Sequence, residues 1–149
     1  MALPSSYFPR IPSETPSIGS LGRYVVSSPY TDDAHLLDLQ TLDVENQLLA
    51  RALTELSCTR DDYATAPYVD SFNWNECIAE LKHLAKEHNH EWRETSFYIV
   101  AFRSQIPPTT LYSELGELDK AAHLEAVQSG GLLKYDDQPR SLNQVLTEF

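Results

Sequence analysis

An unbroken run of aromatic and β-branched residues in the second half of the chain constrains the fold most. Residues 97–102 carry no charged side chain, and the pair Pro107-Pro108 follows soon after. Such a run favours a strand, and a run without polar alternation is typical of a strand buried on both faces. Proline has no N–H to donate to a ladder, so the pair ends the strand. The sequence therefore predicts a central strand over residues 96–106.

Two helices are predicted before this strand. Apolar residues recur at helical spacing over about residues 43–56, and either Thr41 or Asp43 is placed to cap the start. A second helical period covers about residues 74–86, where Asn73 and Glu76 have the spacing of a capping box.

A third helix is predicted after the strand, over about residues 113–129. Its apolar residues define a predicted inner side, and Gly130-Gly131 ends the helix because glycine adopts a positive φ without a Cβ clash. That inner side consists of Leu115, Leu118, Ala122 and Val127.

The remaining segments predict a small sheet and two divergent ends. Residues 24–26 and 132–135 are candidate short strands, and residues 141–149 fit a short final helix. The fold class that follows is α+β, with three to four helices packed on a small sheet. A mostly helical, partly disordered remnant is the alternative. The predicted organisation is a flexible Pro/Ser-rich leader (1–22), an α+β domain (23–135) and a divergent C-terminal tail (136–149).

Charge and cysteine content exclude several function classes. The formal net charge is −11, which argues against a nucleic-acid partner and against docking on anionic lipid. No apolar run approaches the roughly 20 residues that span a bilayer, and the N-terminus lacks the apolar stretch of a signal peptide. Cys58 and Cys77 lie far apart in the sequence and form no Cys-x-x-Cys motif, so we predict free thiols, with one disulfide between them as the alternative. We predict a cytoplasmic protein without nucleic-acid or membrane partners.

The histidine-rich end of the second helix is a candidate metal site. His83 and Glu87 have an i, i+4 spacing that can chelate a metal, and His88 and His90 follow. No His-Glu-x-x-His motif accompanies them, and a polar, solvated helix end explains the same residues. Glycine-rich phosphate-binding motifs are also missing from the sequence. We therefore predict neither a metal nor a cofactor.

Two residues near the predicted strand are candidates for catalysis. His123 lies on the helix after the strand, and histidine is a suitable general base because its ordinary pKa is close to neutral pH. The alternative is a surface pair with Asp119, four residues earlier. Arg103 lies in the strand, where a buried guanidinium needs a partner or a pocket mouth. Exposure at the strand end is its alternative.

Several segments of the chain resemble a family of uncharacterised fungal proteins. They occur in order over about residues 24–135. They are residues 25–30, 37–43, 60–69, 71–74, 96–100, 102–110, 115–120, 123, 125–126 and 129–135. The resemblance implies that family members continue past residue 135 with two strands, a helix and a last strand, so residues 136–149 are expected to replace a truncated C-terminal part.

The element order implied by the resemblance is similar to the ferredoxin-like dimeric α+β barrel, here with an incomplete C-terminal half. That fold hosts cofactor-independent monooxygenases and small isomerases of secondary metabolism, although fold alone does not establish function. One hypothesis is therefore a small-molecule enzyme with His123 and Arg103 as the polar groups of its pocket. The other is a non-catalytic binding or interaction module, or an inactive truncated member. An exposed sheet edge would allow a homodimer.

Overall fold

The computed structural model of the chain describes residues 22–102 and 107–136. Within them, three α-helices accompany one antiparallel sheet of two strands. We name the helices α1 (Val44–Ala52), α2 (Trp74–Glu87) and α3 (Tyr112–Ser129), and the strands β1 (Tyr24–Val25) and β2 (Leu37–Asp38). The predicted α+β class is confirmed. The predictions for residues 1–21 and 137–149 lie outside the described residues.

Helix α1 begins where the sequence predicts. The Asp43 side chain accepts a hydrogen bond from the Asn46 N–H at 2.8 Å, which satisfies one of the unpaired donors of the first turn. The helix is shorter than predicted, because residues Leu53–Glu55 tighten into a 3-10 turn after Ala52. Of the two predicted caps, Asp43 is confirmed.

Helix α2 has the predicted extent, but its capping box is wrong. The Asn73 side chain makes no capping bond to the first turn. Its Oδ1 accepts from the Ser57 N–H at 2.7 Å, and its Nδ2 donates to the Glu55 carbonyl and to the Glu76 carboxylate. Asn73 therefore bonds the start of α2 to the segment after α1. The spacing of Asn73 and Glu76 alone does not reveal these distant bonds.

Helix α3 ends at the predicted glycines. Gly130 and Gly131 have φ values of 84° and 82°, which L side chains rarely adopt. The following residues, 132–135, were expected to form a strand, and this prediction is wrong because no strand ladder forms there. One bond does join this segment to the β1 side of the domain, from the Tyr135 N–H to the Ser27 carbonyl at 2.8 Å.

The small sheet and α1 enclose one part of the core. Tyr24 pairs with Asp38 and Val25 with Leu37, and the Arg23 guanidinium bonds the Asp38 carboxylate at 2.8 Å. The sheet and the next turn place apolar side chains against α1. The buried members of this group are Val25, Leu37, Leu39, Leu42 and Ala50, with Leu133 packed against them.

A second part of the core lies between α1 and α2. Leu48 is fully buried, and its neighbours come from both helices and from the chain after α2. The group consists of Leu48, Ala52, Leu84 and Ala85, with Val44, Leu81 and Trp92 partly buried around it. In the described residues, no helix combines the length and the apolar character needed to cross a bilayer.

The predicted central strand is wrong for the part that the structure describes. Residues 96–102 have no regular secondary structure, and Val100 and Phe102 are 68% and 87% exposed. A strand needs a paired neighbour for its backbone hydrogen bonds, and among the described residues no strand pairs with this segment. Arg103 and the rest of residues 103–106 lie outside the described residues. The ferredoxin-like arrangement stays a prediction.

The predicted inner side of α3 is wrong in part, because Leu115 and Val127 are half-buried whereas Leu118 and Ala122 are exposed. Leu118 is 68% exposed, whereas His123 is the one fully buried residue of the helix. Successive helical residues are about 100° apart, so the Asp119–His123 face is turned away from the Leu118 face. The Asp119–His123 face packs on the 3-10 turn Asp33–His35, which offers polar rather than apolar partners.

Candidate functional site

Five polar or aromatic side chains meet where α3 packs on the segment after β1. We call this group the His35–His123 cluster. Tyr30 and His35 come from that segment, Asp119 and His123 from α3, and Tyr135 from the chain after α3. Residues from the two ends of the described chain therefore build one site.

The two histidines face each other through the same ring nitrogen. His35 Nδ1 and His123 Nδ1 are 2.8 Å apart, and the ring centroids are separated by 5.1 Å with nearly parallel planes. His35 is 4% exposed and His123 is 2% exposed. The rings of Tyr30 and Tyr135 lie within 5.4 Å of the His123 ring and shield it from water.

Both tyrosines of the cluster bond one carboxylate. The Tyr30 hydroxyl donates to Asp119 Oδ2, and the Tyr135 hydroxyl donates to Asp119 Oδ1. Hydrogen bonds to an ionised acceptor are stronger than those between neutral groups. Asp119 therefore links three segments of the chain, and its position one turn before His123 places a negative charge near the imidazole pair.

An exposed ion pair borders the cluster. The Lys120 ammonium bonds the Asp32 carboxylate, and it lies 5.8 Å from the centroid of the Tyr30 ring. The pKa of Asp32 is held below its ordinary value, chiefly by this hydrogen bond. Since both side chains are largely exposed, the pair adds little to stability. It does complete a row of polar contacts between α3 and the segment from Tyr30 to His35.

His123 Nε2 is the chemically distinctive atom of the cluster. It is buried and has no hydrogen-bond partner within residues 22–102 and 107–136. Burial lowers the pKa of His123, the charge of His35 lowers it further, and Asp119 acts in the opposite direction. The imidazole is therefore neutral at neutral pH. A neutral imidazole with an unpartnered nitrogen can accept or donate a proton, which is the chemistry of a general acid or base.

The structure corrects one interpretation of the predicted catalytic residues. A surface pair between His123 and Asp119 was the alternative to a base, and this alternative is wrong because His123 is buried and Asp119 bonds the two tyrosines. The proposed role of His123 as a base is not tested by its position. Arg103 lies outside the described residues, so it is not placed relative to the cluster.

The residues of the predicted metal site lie on α2 and just after it, outside the His35–His123 cluster. His83 and Glu87 are exposed on α2. His90 Nε2 lies 3.4 Å from Glu45 Oε1 at the start of α1, and the His90 ring meets the edge of Trp92. Across residues 22–102 and 107–136, no three His, Cys, Asp or Glu side chains group in a way that could hold a metal ion. Cys58 and Cys77 are free thiols, as predicted.

Sequence reasoning missed most of the cluster. His35, Tyr30 and Tyr135 were not candidates, because a pair such as His35 and His123 is 88 positions apart and no motif links them. One local signal was available. Asp119 and His123 are an i, i+4 pair on a helix, and such pairs share a face.

Comparison with known proteins agrees with the fungal resemblance. The sequence profile of the PB2B2.08-like family matches residues 26–143. The chain belongs to the PB2B2.08-like family. A curated relative, UPF0643 protein PB2B2.08 from the fission yeast Schizosaccharomyces pombe, is 41% identical over 124 residues. That match covers 76% of this chain and 54% of the relative.

The match to the PB2B2.08-like family assigns no activity. The name of the fission yeast relative states no reaction, ligand or partner. The chain spans about half the length of that relative. No solved structure matches the chain.

Proposed function

We propose that the protein is a small-molecule enzyme of fungal secondary metabolism, and that its reaction depends on proton transfer at His123. The reaction would be of the cofactor-independent monooxygenase or isomerase type, in the cytoplasm. The observation that supports this proposal is the buried, unpartnered Nε2 of a neutral imidazole. Buried polar atoms without partners are uncommon in folded proteins, and a catalytic role is one of the explanations for them.

The environment of His123 suits proton transfer. Water is excluded from the ring by Tyr30 and Tyr135, so charges near it act through a medium of lower dielectric constant than water. The pKa of His123 is lowered chiefly by burial. Asp119 lies close enough to favour the imidazolium that forms when His123 takes up a proton.

A substrate must reach an atom that is buried in the described structure. The contacts that close the cluster are mainly polar: Tyr30 and Tyr135 to Asp119, Lys120 to Asp32, and His35 to His123. His123 is the one fully buried residue of α3. Because the buried side chains between α1 and α2 are apolar and those of the cluster are mainly polar, we infer that local opening costs less at the cluster. Arg103 is the second proposed polar group, on sequence grounds.

The experiment compares metabolite turnover by matched variants. Purified protein is incubated with a fungal metabolite extract, and consumed and formed compounds are identified by mass spectrometry. His123→Asn keeps a polar group near the position of Nδ1 and removes Nε2, and Arg103→Ala removes the guanidinium. Glu125→Gln is the control, because Glu125 is exposed on α3 outside the cluster.

We expect turnover by the wild type and the control, and its loss in His123→Asn of at least about 100-fold, the usual contribution of a general base. Equal turnover by the wild type, His123→Asn and Arg103→Ala would remove both residues from the proposed mechanism. If the wild type converts no metabolite, the enzymatic proposal is wrong.

The exposed apolar segment 97–102 favours a second candidate function, a non-catalytic interaction module that forms a homodimer. Residues Tyr98, Val100 and Phe102 are largely exposed, and contiguous apolar surface of this kind marks interaction sites. Light scattering after size-exclusion chromatography tests it. Ile99→Lys is expected to abolish a dimer, whereas Val69→Lys changes an exposed apolar residue elsewhere and leaves it intact. A wild-type monomer at all concentrations would contradict this candidate.

A further inference from the structure

Only one proton can lie between the facing Nδ1 atoms of His35 and His123. Their Nδ1 atoms are 2.8 Å apart, and a hydrogen bond at this distance needs one N–H and one lone pair. If both Nδ1 atoms carried a proton, two N–H groups would face each other. If neither did, two lone pairs would face each other. The protonation state of each ring is therefore coupled to that of the other.

Two neutral arrangements satisfy this condition, and they differ at His123 Nε2. If His35 donates, His123 carries its proton on Nε2, which leaves a buried N–H without an acceptor. If His123 donates from Nδ1, its Nε2 has a bare lone pair, and His35 carries its own proton on Nε2. Buried N–H groups without an acceptor are rarer than buried acceptors without a donor. The second arrangement is therefore favoured.

We propose that His35 is a positioning residue, which accepts the Nδ1 proton of His123 and so keeps the His123 Nε2 lone pair free to act as a base. This inference rests on the proposed function and specifies its substrate class: a compound with an acidic C–H or O–H group. The proton leaves the substrate, its bonding electrons stay on the substrate, and an N–H bond forms at Nε2. His123 is then a single cation that still donates from Nδ1 to neutral His35.

The charged groups around the pair allow one positive charge. Asp119 faces His123 from α3, and Asp32 faces His35 from the residue before the 3-10 turn. Lys120 opposes them but is bonded to Asp32, and the tyrosine hydroxyls point at Asp119. A substrate proton can therefore be stored at the pair as an imidazolium, whereas a second proton would break the bond between the two histidines.

Nitrogen NMR of the full chain with ¹⁵N-labelled histidine tests this inference without a substrate. The chain has five histidines, and single variants assign the signals. At neutral pH we expect the ¹⁵N shifts of His123 to show a protonated Nδ1 and an unprotonated Nε2, and those of His35 to show the reverse. A His123 ring with its proton on Nε2 would overturn the inference, even if His123 still acts in turnover.

Two variants separate positioning from a merely structural role of His35. His35→Asn retains an oxygen that can accept the Nδ1 proton near the same place, so His123 should keep its tautomer. His35→Phe keeps the ring shape without an acceptor, so the proton of His123 should move toward Nε2. The same tautomer in His35→Phe as in the wild type would show that His35 does not set it. If the proposed enzymatic function is wrong, the wild type shows no turnover, whatever tautomer His123 adopts. The two failures are therefore distinguishable.

Discussion

Replacing Leu48 and Leu118 by alanine tests which side of each helix packs. Leu48 is fully buried between α1 and α2, whereas Leu118 is 68% exposed on α3. Leu→Ala at a buried site removes three carbons and leaves a cavity, and it costs about 3 to 5 kcal/mol. Since two of the neighbours of Leu48 are the small residues Ala52 and Ala85, few flexible side chains can refill the space. We expect a loss of roughly 3 kcal/mol for Leu48→Ala.

Leu118→Ala should change the free energy of unfolding by less than about 0.5 kcal/mol, as exposed substitutions usually do. Urea unfolding monitored by circular dichroism measures both variants. With a slope of about 1.5 kcal/mol/M, Leu48→Ala should lower the urea midpoint by roughly 2 M. If Leu48→Ala is too unstable to measure, Leu48→Met provides a milder variant with a cost below about 1.5 kcal/mol.

The result that would refute this reasoning is a similar cost for both alanine variants. It would mean that the Leu118–Ala122 side of α3 is packed, as the sequence predicts, and that the Asp119–His123 face is not the inward one. A negligible cost for Leu48→Ala would instead contradict the described interface between α1 and α2.

Four further outcomes are expected from local features. Asp43→Ala removes the α1 cap and should cost about 1 kcal/mol in urea unfolding, and no change would mean that the bond to Asn46 is not formed. Gly130→Ala should cost about 1 to 3 kcal/mol because of its φ of 84°. Gly116→Ala, inside α3 with open space around a Cβ, should instead stabilise by about 0.5 to 1 kcal/mol; equal effects would contradict the described backbone. Because the folded state lowers the pKa of His123, this residue contributes stability that is fully present above its unfolded pKa of 6.5 and is lost as the pH falls through the folded pKa. The wild type should therefore lose more stability than His123→Asn between neutral pH and about pH 5. Equal losses in the two proteins would contradict the lowered pKa.

The helices were predictable because their signals are local. Asp43 identifies the start of α1, and Gly130 marks the end of α3. Each signal depends on backbone groups within a few residues, so it does not require knowledge of the rest of the fold.

The strand and the inward face of α3 were not predictable in this way. Residues 97–102 have strong β propensity, but propensity forms a strand only beside a partner. The periodicity of α3 identifies an apolar side without showing what covers it. Asp119 and His123 instead turn toward Tyr30 and His35, which lie far away in the sequence.

Of the five residues of the candidate site, only His123 was predicted from the sequence. His123 was selected for its chemistry and its helix, and the structure adds four neighbours, of which Asp119 was visible as an i, i+4 partner. The contact with His35 joins positions 88 apart. No spacing rule reaches across that distance, so its discovery required the folded chain.

The hydrogen bond between His35 and His123 supports both the candidate site and its proposed chemistry. A scalar coupling between the two ¹⁵N nuclei across an N–H···N bond measures it most directly, in the full chain labelled at histidine. We expect a resolved coupling between His35 Nδ1 and His123 Nδ1, and its disappearance in His35→Phe. Two histidines that titrate independently near their ordinary pKa, without any coupling, would contradict the account.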